Sequence, residues 1–101
     1  MPSVNFTVKW PNGEQIQYYS PSTVIYEYLS MHKSYPSILF LQQVEEGLHA
    51  ASERVRIRYG FACSSAMDSL TLIKHQAKHF ELTPEDQITV IEMTKNEREV
   101  L

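Results

Sequence analysis

The chain carries one cysteine and three glycines in 101 residues and has no excess of positive charge. A lone cysteine forms no internal disulfide, which gives the expectation of a cytoplasmic protein. Three glycines are too few for a phosphate cradle, and neither a Rossmann fingerprint, a phosphate loop nor a Cys-x-x-Cys pair occurs. Nine Lys and Arg against twelve Asp and Glu give a net charge of −3, the wrong sign for a general nucleic-acid binder. No apolar run approaches a membrane span, and Met1-Pro2-Ser3-Val4 lacks the basic-then-apolar layout of a signal peptide. Neither nucleic acid, membrane nor cofactor is therefore expected. What is present is 43% hydrophobic and 21% charged residues without repeats, a folding composition. One domain over residues 1–101 is expected, with a frayed polar tail from about 94 to 101.

Val4, Phe6, Val8 and Trp10 alternate with Asn5, Thr7 and Lys9, the period of a half-buried strand. Pro11-Asn12-Gly13 marks a turn into a second strand over Glu14 to Ser20. A two-residue loop would set Val8 opposite Gln17 and mix the faces, whereas a three-residue loop sets Val8 opposite Ile16 and Phe6 opposite Tyr18. The three-residue loop is expected, with Gly13 left-handed. Ser20 as cap and Pro21 at the first helical position predict a short helix ending near Met31, its stripe Val24, Ile25, Tyr28 and Leu29. His32 to Pro36 reads as a connection.

From Ser37 to about Tyr59, Leu41, Val44, Leu48, Ala51 and Val55 step by three and four, a core-facing helical stripe ended by Gly60. The stretch Arg54 to Tyr59 also alternates like a strand, but the upstream stripe favours helix. A third helix is expected to open on a capping box of Ser65 and Asp68 and to bury Ala66, Leu70, Ile73, Ala77 and Phe80. Residues Ile88 to Met93 are apolar on parts of both faces, as an interior strand would be. The expected fold is α+β in the order β-β-α-α-α-β: an N-terminal hairpin and one C-terminal strand in a small sheet, covered on one face by about three helices. The partner of the last strand stays open between the first and the second, and open sheet edges make a homodimer an expected partner state.

Cys63 lies just before a helix, where free amides stabilise a thiolate. No histidine stands in the local motif to serve as its base, and packing at a tight turn is the ordinary role of such a cysteine. Arg54 and Arg58, four apart, lead to the same helix start, so Arg54, Arg58, Cys63, Ser64 and Ser65 form a candidate site for a phosphate or carboxylate. The ordinary alternative has the two arginines capping their own helix and pairing with Glu53 or Glu14. His75 and His79 have the spacing of two metal ligands on one helical face, with Asp68 seven positions before His75. The absence of a Glu after His75 removes the metalloprotease pattern, and two solvated histidines are the common explanation. Six tyrosines with Trp10 supply amphipathic rings suited to an interface as well as to a thin core.

Three blocks carry a resemblance: Asn5-Phe6-Thr7-Val8-Lys9-Trp10-Pro11-Asn12-Gly13, then Tyr19-Ser20-Pro21-Ser22-Thr23-Val24-Ile25, then Ala51-Ser52-Glu53-Arg54-Val55-Arg56 running into Tyr59-Gly60-Phe61-Ala62-Cys63-Ser64. In this order they are similar to the small bacterial nitrogen-starvation response proteins encoded beside a nitrilase in nitrile- and cyanide-utilisation gene clusters, over roughly residues 3 to 93. The resemblance implies a cytoplasmic protein made under nitrogen limitation, alongside a nitrilase, a radical-SAM protein, an acetyltransferase-like protein and a flavoprotein. It transfers no catalytic residue. The expectation is a non-enzymatic accessory protein that acts with a nitrilase-cluster partner or binds a small anion. The alternative is a small enzyme or carrier using Cys63, with Arg54 and Arg58 positioning an anionic group.

Overall fold

Alternation in the first residues gives strand β1 (Ser3–Lys9), which turns at Pro11-Asn12-Gly13 into β2 (Gln15–Ser20) in a computed structural model that describes residues 2–61 and 64–96. The three-residue loop is the one formed. Gly13 sits at φ +94 and donates its amide to Trp10 O at 2.8 Å, and Asn12 Oδ1 accepts from Glu14 N–H at 3.0 Å. Val8 therefore faces Ile16 and Phe6 faces Tyr18, as the apolar pattern requires.

The segment after β2 departs from the sequence expectation. Ser22, not Ser20, is the cap: its hydroxyl accepts from Val24 N–H at 3.2 Å and starts a 3-10 helix over Thr23–Glu27. Ser20 ends β2 fully buried, its hydroxyl donating to Ser22 O at 2.8 Å and accepting from Ser22 N–H at 3.4 Å, so it closes the turn before the cap rather than capping the helix itself. The expected helix to Met31 shortens to one 3-10 turn, yet of its stripe Val24, Ile25 and Leu29 are buried, with Tyr28 half-buried. Residues 32–36, read as a connection, contain a further strand, β3 (Ser34–Pro36). Pro36 favours extended backbone at Tyr35, but three residues ending in proline show no period that would tell a strand from a connection.

Helix α1 (Ser37–Tyr59) has the expected bounds and settles the Arg54–Tyr59 ambiguity as helix. Gly60 closes it at φ +82, its amide on Arg56 O at 2.9 Å. Val44, Leu48, Ala51 and Val55 are buried; Phe40 takes the place expected for Leu41, which is half-buried. Gly47 lies on the same face, where Ile25 and Tyr28 of the 3-10 segment press against it. The first turn of α1 is served from the loop before the last strand: Ser37 N–H donates to Asp86 O at 2.7 Å and Ile38 N–H to Pro84 O at 3.3 Å.

Helix α2 (Ser65–His79) buries Ala66, Leu70, Ile73 and Ala77, with Phe80 half-buried at its end. The capping box does not form. Ser65 is already inside the helix, Ser64 holds the cap position without a side-chain cap bond, and its hydroxyl lies 3.5 Å from Asp68 Oδ2. Among the described residues the fold thus has two α-helices and one 3-10 turn where three helices were expected, in the order β-β-3-10-β-α-α-β.

The last strand, β4 (Gln87–Asn96), pairs with β1 on one side and β3 on the other, giving an antiparallel sheet of order β2-β1-β4-β3. β4 is interior, as its two-faced apolar content requires. Thr94, Lys95 and Asn96, placed by the sequence reading in a frayed tail, pair with Asn5, Val4 and Ser3; the rest of that tail, 97–101, lies outside the described residues. A bulge at Ile91 changes the phase of the strand. Val8 faces Val90 and Thr7 faces Glu92, so Phe6 meets Met93 rather than a carboxylate. Ile88, Val90 and Met93 consequently join Val4, Phe6 and Val8 on the face that the helices cover. Each such fully buried aliphatic or aromatic side chain contributes about 1.5–3 kcal/mol.

Candidate functional site

The arginine junction stands at the end of α1. Arg54 reaches Glu27 Oε2 at 3.6 Å, an exposed pair. Arg58 lies over the ring of its neighbour Tyr59, 5.7 Å from the centroid. Glu53, expected to serve one of these two, is held instead by Arg56, whose Nε donates to Oε2 at 3.0 Å while Nη2 takes Oε1. That fork holds the Glu53 carboxyl below its ordinary range and raises the Arg56 guanidinium, in both cases mainly through the hydrogen bond. Ser64 and Ser65 stand at the start of α2, the first hydroxyl beside Asp68. Cys63 lies outside the described residues.

Apolar residues share this end of the molecule. Ile57 is 70% exposed and Phe61 57% exposed, four positions apart, as Arg54 and Arg58 are. Arg54 and Arg58 share one face of α1 and Ile57 lies in its last turn, whereas Phe61 follows the left-handed Gly60, past the end of the helix. Two cationic and two exposed apolar side chains thus belong to the last turns of α1 and the residues just after it. Sequence spacing showed the first pair and not the second, because the exposure of Ile57 is decided by which face α1 turns to the sheet.

His75 and His79 are both exposed on α2, and His79 lies 5.7 Å from the Phe80 ring. Among the described residues no three His, Cys, Asp or Glu side chains converge to hold a metal ion. Of the tyrosines, Tyr18 and Tyr35 belong to the core, and Tyr35 OH accepts from Ser30 N–H at 2.9 Å. Tyr26 is exposed.

Tyr18 is the centre of a buried polar chain. Trp10 Nε1 donates to its hydroxyl at 3.0 Å, and that hydroxyl donates in turn to Gln76 Oε1 on α2. Burial, opposed by the Trp10 bond, pushes the phenol up to about 12. Among the described residues no buried side-chain nitrogen or oxygen lacks a hydrogen-bond partner. This chain therefore fastens the hairpin to α2.

Two open clefts flank α2. One, of about 340 Å³, is lined by Ser37, Ile38 and Leu41 of α1 with Ala77, Lys78, Leu82 and Pro84. The other, of about 280 Å³, runs beside β2, where Asn5, Gln17 and Tyr19 face Asp68, Ser69 and Leu72. Sequence reasoning missed the second cleft. Its signal is the alternation of β2, which turns Gln15, Gln17 and Tyr19 to the face opposite Tyr18.

Among the described residues no helix is long and apolar enough to cross a membrane. A family model described as nitrogen starvation-induced protein NitG matches residues 5–93. No curated protein and no solved structure matches the chain.

Proposed function

The chain belongs to the family described as nitrogen starvation-induced protein NitG, and from that membership we propose a non-enzymatic accessory role in the cytoplasmic nitrogen-starvation response. In this reading the protein acts by docking on a protein encoded in a nitrilase gene cluster. The observation that supports it is the pairing of exposed Ile57 and Phe61 with Arg54 and Arg58 at one end of α1. Covering two large apolar side chains supplies about 1.5–3 kcal/mol each, and the flanking cations select an acidic partner surface.

The test is co-purification and sedimentation with each protein encoded in the cluster, using untagged chain and the double variant Ile57→Asp, Phe61→Asp. The variant sites are solvent-exposed, so the fold is expected to survive, which circular dichroism checks. Association lost in the variant supports the reading, and association with none of those proteins overturns it.

A second reading places a small anion between Arg54, Arg58, Cys63, Ser64 and Ser65. The long, exposed Arg54–Glu27 pair favours it, because such a pair gives up its guanidinium at little cost. Saturable binding of inorganic phosphate or a small carboxylate, lost in Arg54→Ala and Arg58→Ala, is the expected result. A reactive Cys63 thiolate at neutral pH, with turnover of a cluster substrate, would move the enzyme or carrier alternative ahead of both.

A further inference from the structure

The hairpin fixes which backbone groups of β2 face outward. Trp10 N–H donates to Glu14 O at 2.8 Å, so these residues form a hydrogen-bonded pair, and such pairs alternate along an antiparallel ladder. Val8–Ile16, Phe6–Tyr18 and Val4–Ser20 are then hydrogen-bonded pairs. Lys9–Gln15, Thr7–Gln17 and Asn5–Tyr19 are the others, in which the β2 amides and carbonyls turn away from β1. The Ser69 hydroxyl agrees with this parity, donating to Tyr19 O from α2 at 2.6 Å.

β2 is an edge strand, and among the described residues the N–H and C=O groups of Gln15 and Gln17 meet no partner. The opposite edge is blunted: β3 has three residues and ends in Pro36. β2 carries neither a charged residue nor a proline to guard its edge. Beside the open groups runs the cleft of about 280 Å³, where Leu72 is 46% exposed and Asp68 is the ionisable carboxyl of the wall.

We propose that this cleft binds an extended peptide that adds to β2 as a fifth strand. Its backbone bonds to Gln15 and Gln17, an apolar side chain rests on Leu72, and a lysine or arginine meets Asp68. Open donors and acceptors that recur every second residue demand a strand, since a helix has no free backbone groups along its length to offer. The single negative charge of the wall makes the complementary side chain cationic, setting register more than affinity. The surface does not depend on docking at Ile57 and Phe61, so either assignment can fail without the other.

The probe is a panel of acetylated, amidated pentapeptides of alternating threonine and valine with lysine at each position in turn, titrated into isotope-labelled protein. At least one member is expected to shift the Gln15 and Gln17 amides saturably and slow their exchange with water. Replacing its lysine with norleucine should weaken binding roughly threefold in the natural protein and leave it unchanged in Asp68→Asn. Methylating the peptide's backbone nitrogens should abolish binding while leaving the protein untouched. No saturable change at either amide across the panel overturns the proposal, as does binding indifferent to methylation. Protection of both amides that rises with protein concentration alone also overturns it, making a second copy of the chain the occupant.

Discussion

Trp10 and Tyr18 are joined across the hairpin by a hydrogen bond of 3.0 Å from the indole Nε1 to the phenol oxygen, with both side chains buried. Phe40 and Phe80 pack on the same indole, at ring separations of 6.2 and 5.2 Å. The hairpin, α1 and α2 therefore meet at one tryptophan, and Gln76 extends the polar chain into α2.

Removing the phenol oxygen leaves the Trp10 N–H and the Gln76 carbonyl without their shared partner. Tyr18→Phe is expected to destabilise the protein by about 1–3 kcal/mol, read as a lower urea midpoint at unchanged slope. A variant as stable as the natural chain would show that the buried network carries no net stability.

The same phenol makes stability fall at high pH. Its folded pKa, about 12, lies above the ordinary value of 10.0, so the folded state keeps a proton that the unfolded chain has released. The contribution is complete below about pH 10 and declines as pH rises through about 12. Denaturant midpoints measured across this range should drop less in Tyr18→Phe than in the natural protein.

Gly47 has no room for a side chain. A Cβ there would stand 2.7 Å from Ile25 Cδ1 and 3.1 Å from Tyr28 Cβ. Overpacking costs about 1–3 kcal/mol, whereas replacing a helical glycine by alanine returns about 1 kcal/mol. Gly47→Ala is expected to destabilise on balance, and calorimetry showing a higher melting temperature would refute the close approach of the 3-10 segment to α1.

The bulge in β4 can be removed with the register intact. Deleting Ile91 leaves Val8 facing Val90, Thr7 facing Glu92 and Phe6 facing Met93. The deletion variant should fold, with native-like amide dispersion. Deletion of Thr89 should not, because it turns Ile88 out of the core while Gln87 moves in.

Ser22 supports only one turn of helix, yet its cap satisfies a buried segment. Ser22→Ala leaves the Val24 amide without its acceptor at 3.2 Å and is expected to cost about 1 kcal/mol in urea denaturation. An unchanged midpoint would return the capping role to Ser20.

The elements legible in the amino-acid sequence are those whose signals are local. Alternation and Gly13 defined the hairpin down to its register, because only one loop length keeps Val8 and Phe6 opposite apolar partners. The three-and-four spacing with Gly60 bounded α1, and the stripe from Ala66 to Ala77 gave the buried face of α2. The candidate arginine pair was likewise legible, since a spacing of four is a property of one helix. The remaining features depend on partners distant in the chain, which no local signal carries. Pro36 biases Tyr35 toward extended backbone, but β3 becomes a strand only because β4 offers it hydrogen bonds. The bulge at Ile91 follows from the need to turn Met93, not Glu92, toward Phe6. Arg54 found Glu27 rather than Glu53 because the 3-10 segment packs across α1. The cleft beside β2 arises where Ser69 brings α2 against a strand 50 residues earlier, a meeting that no local period encodes.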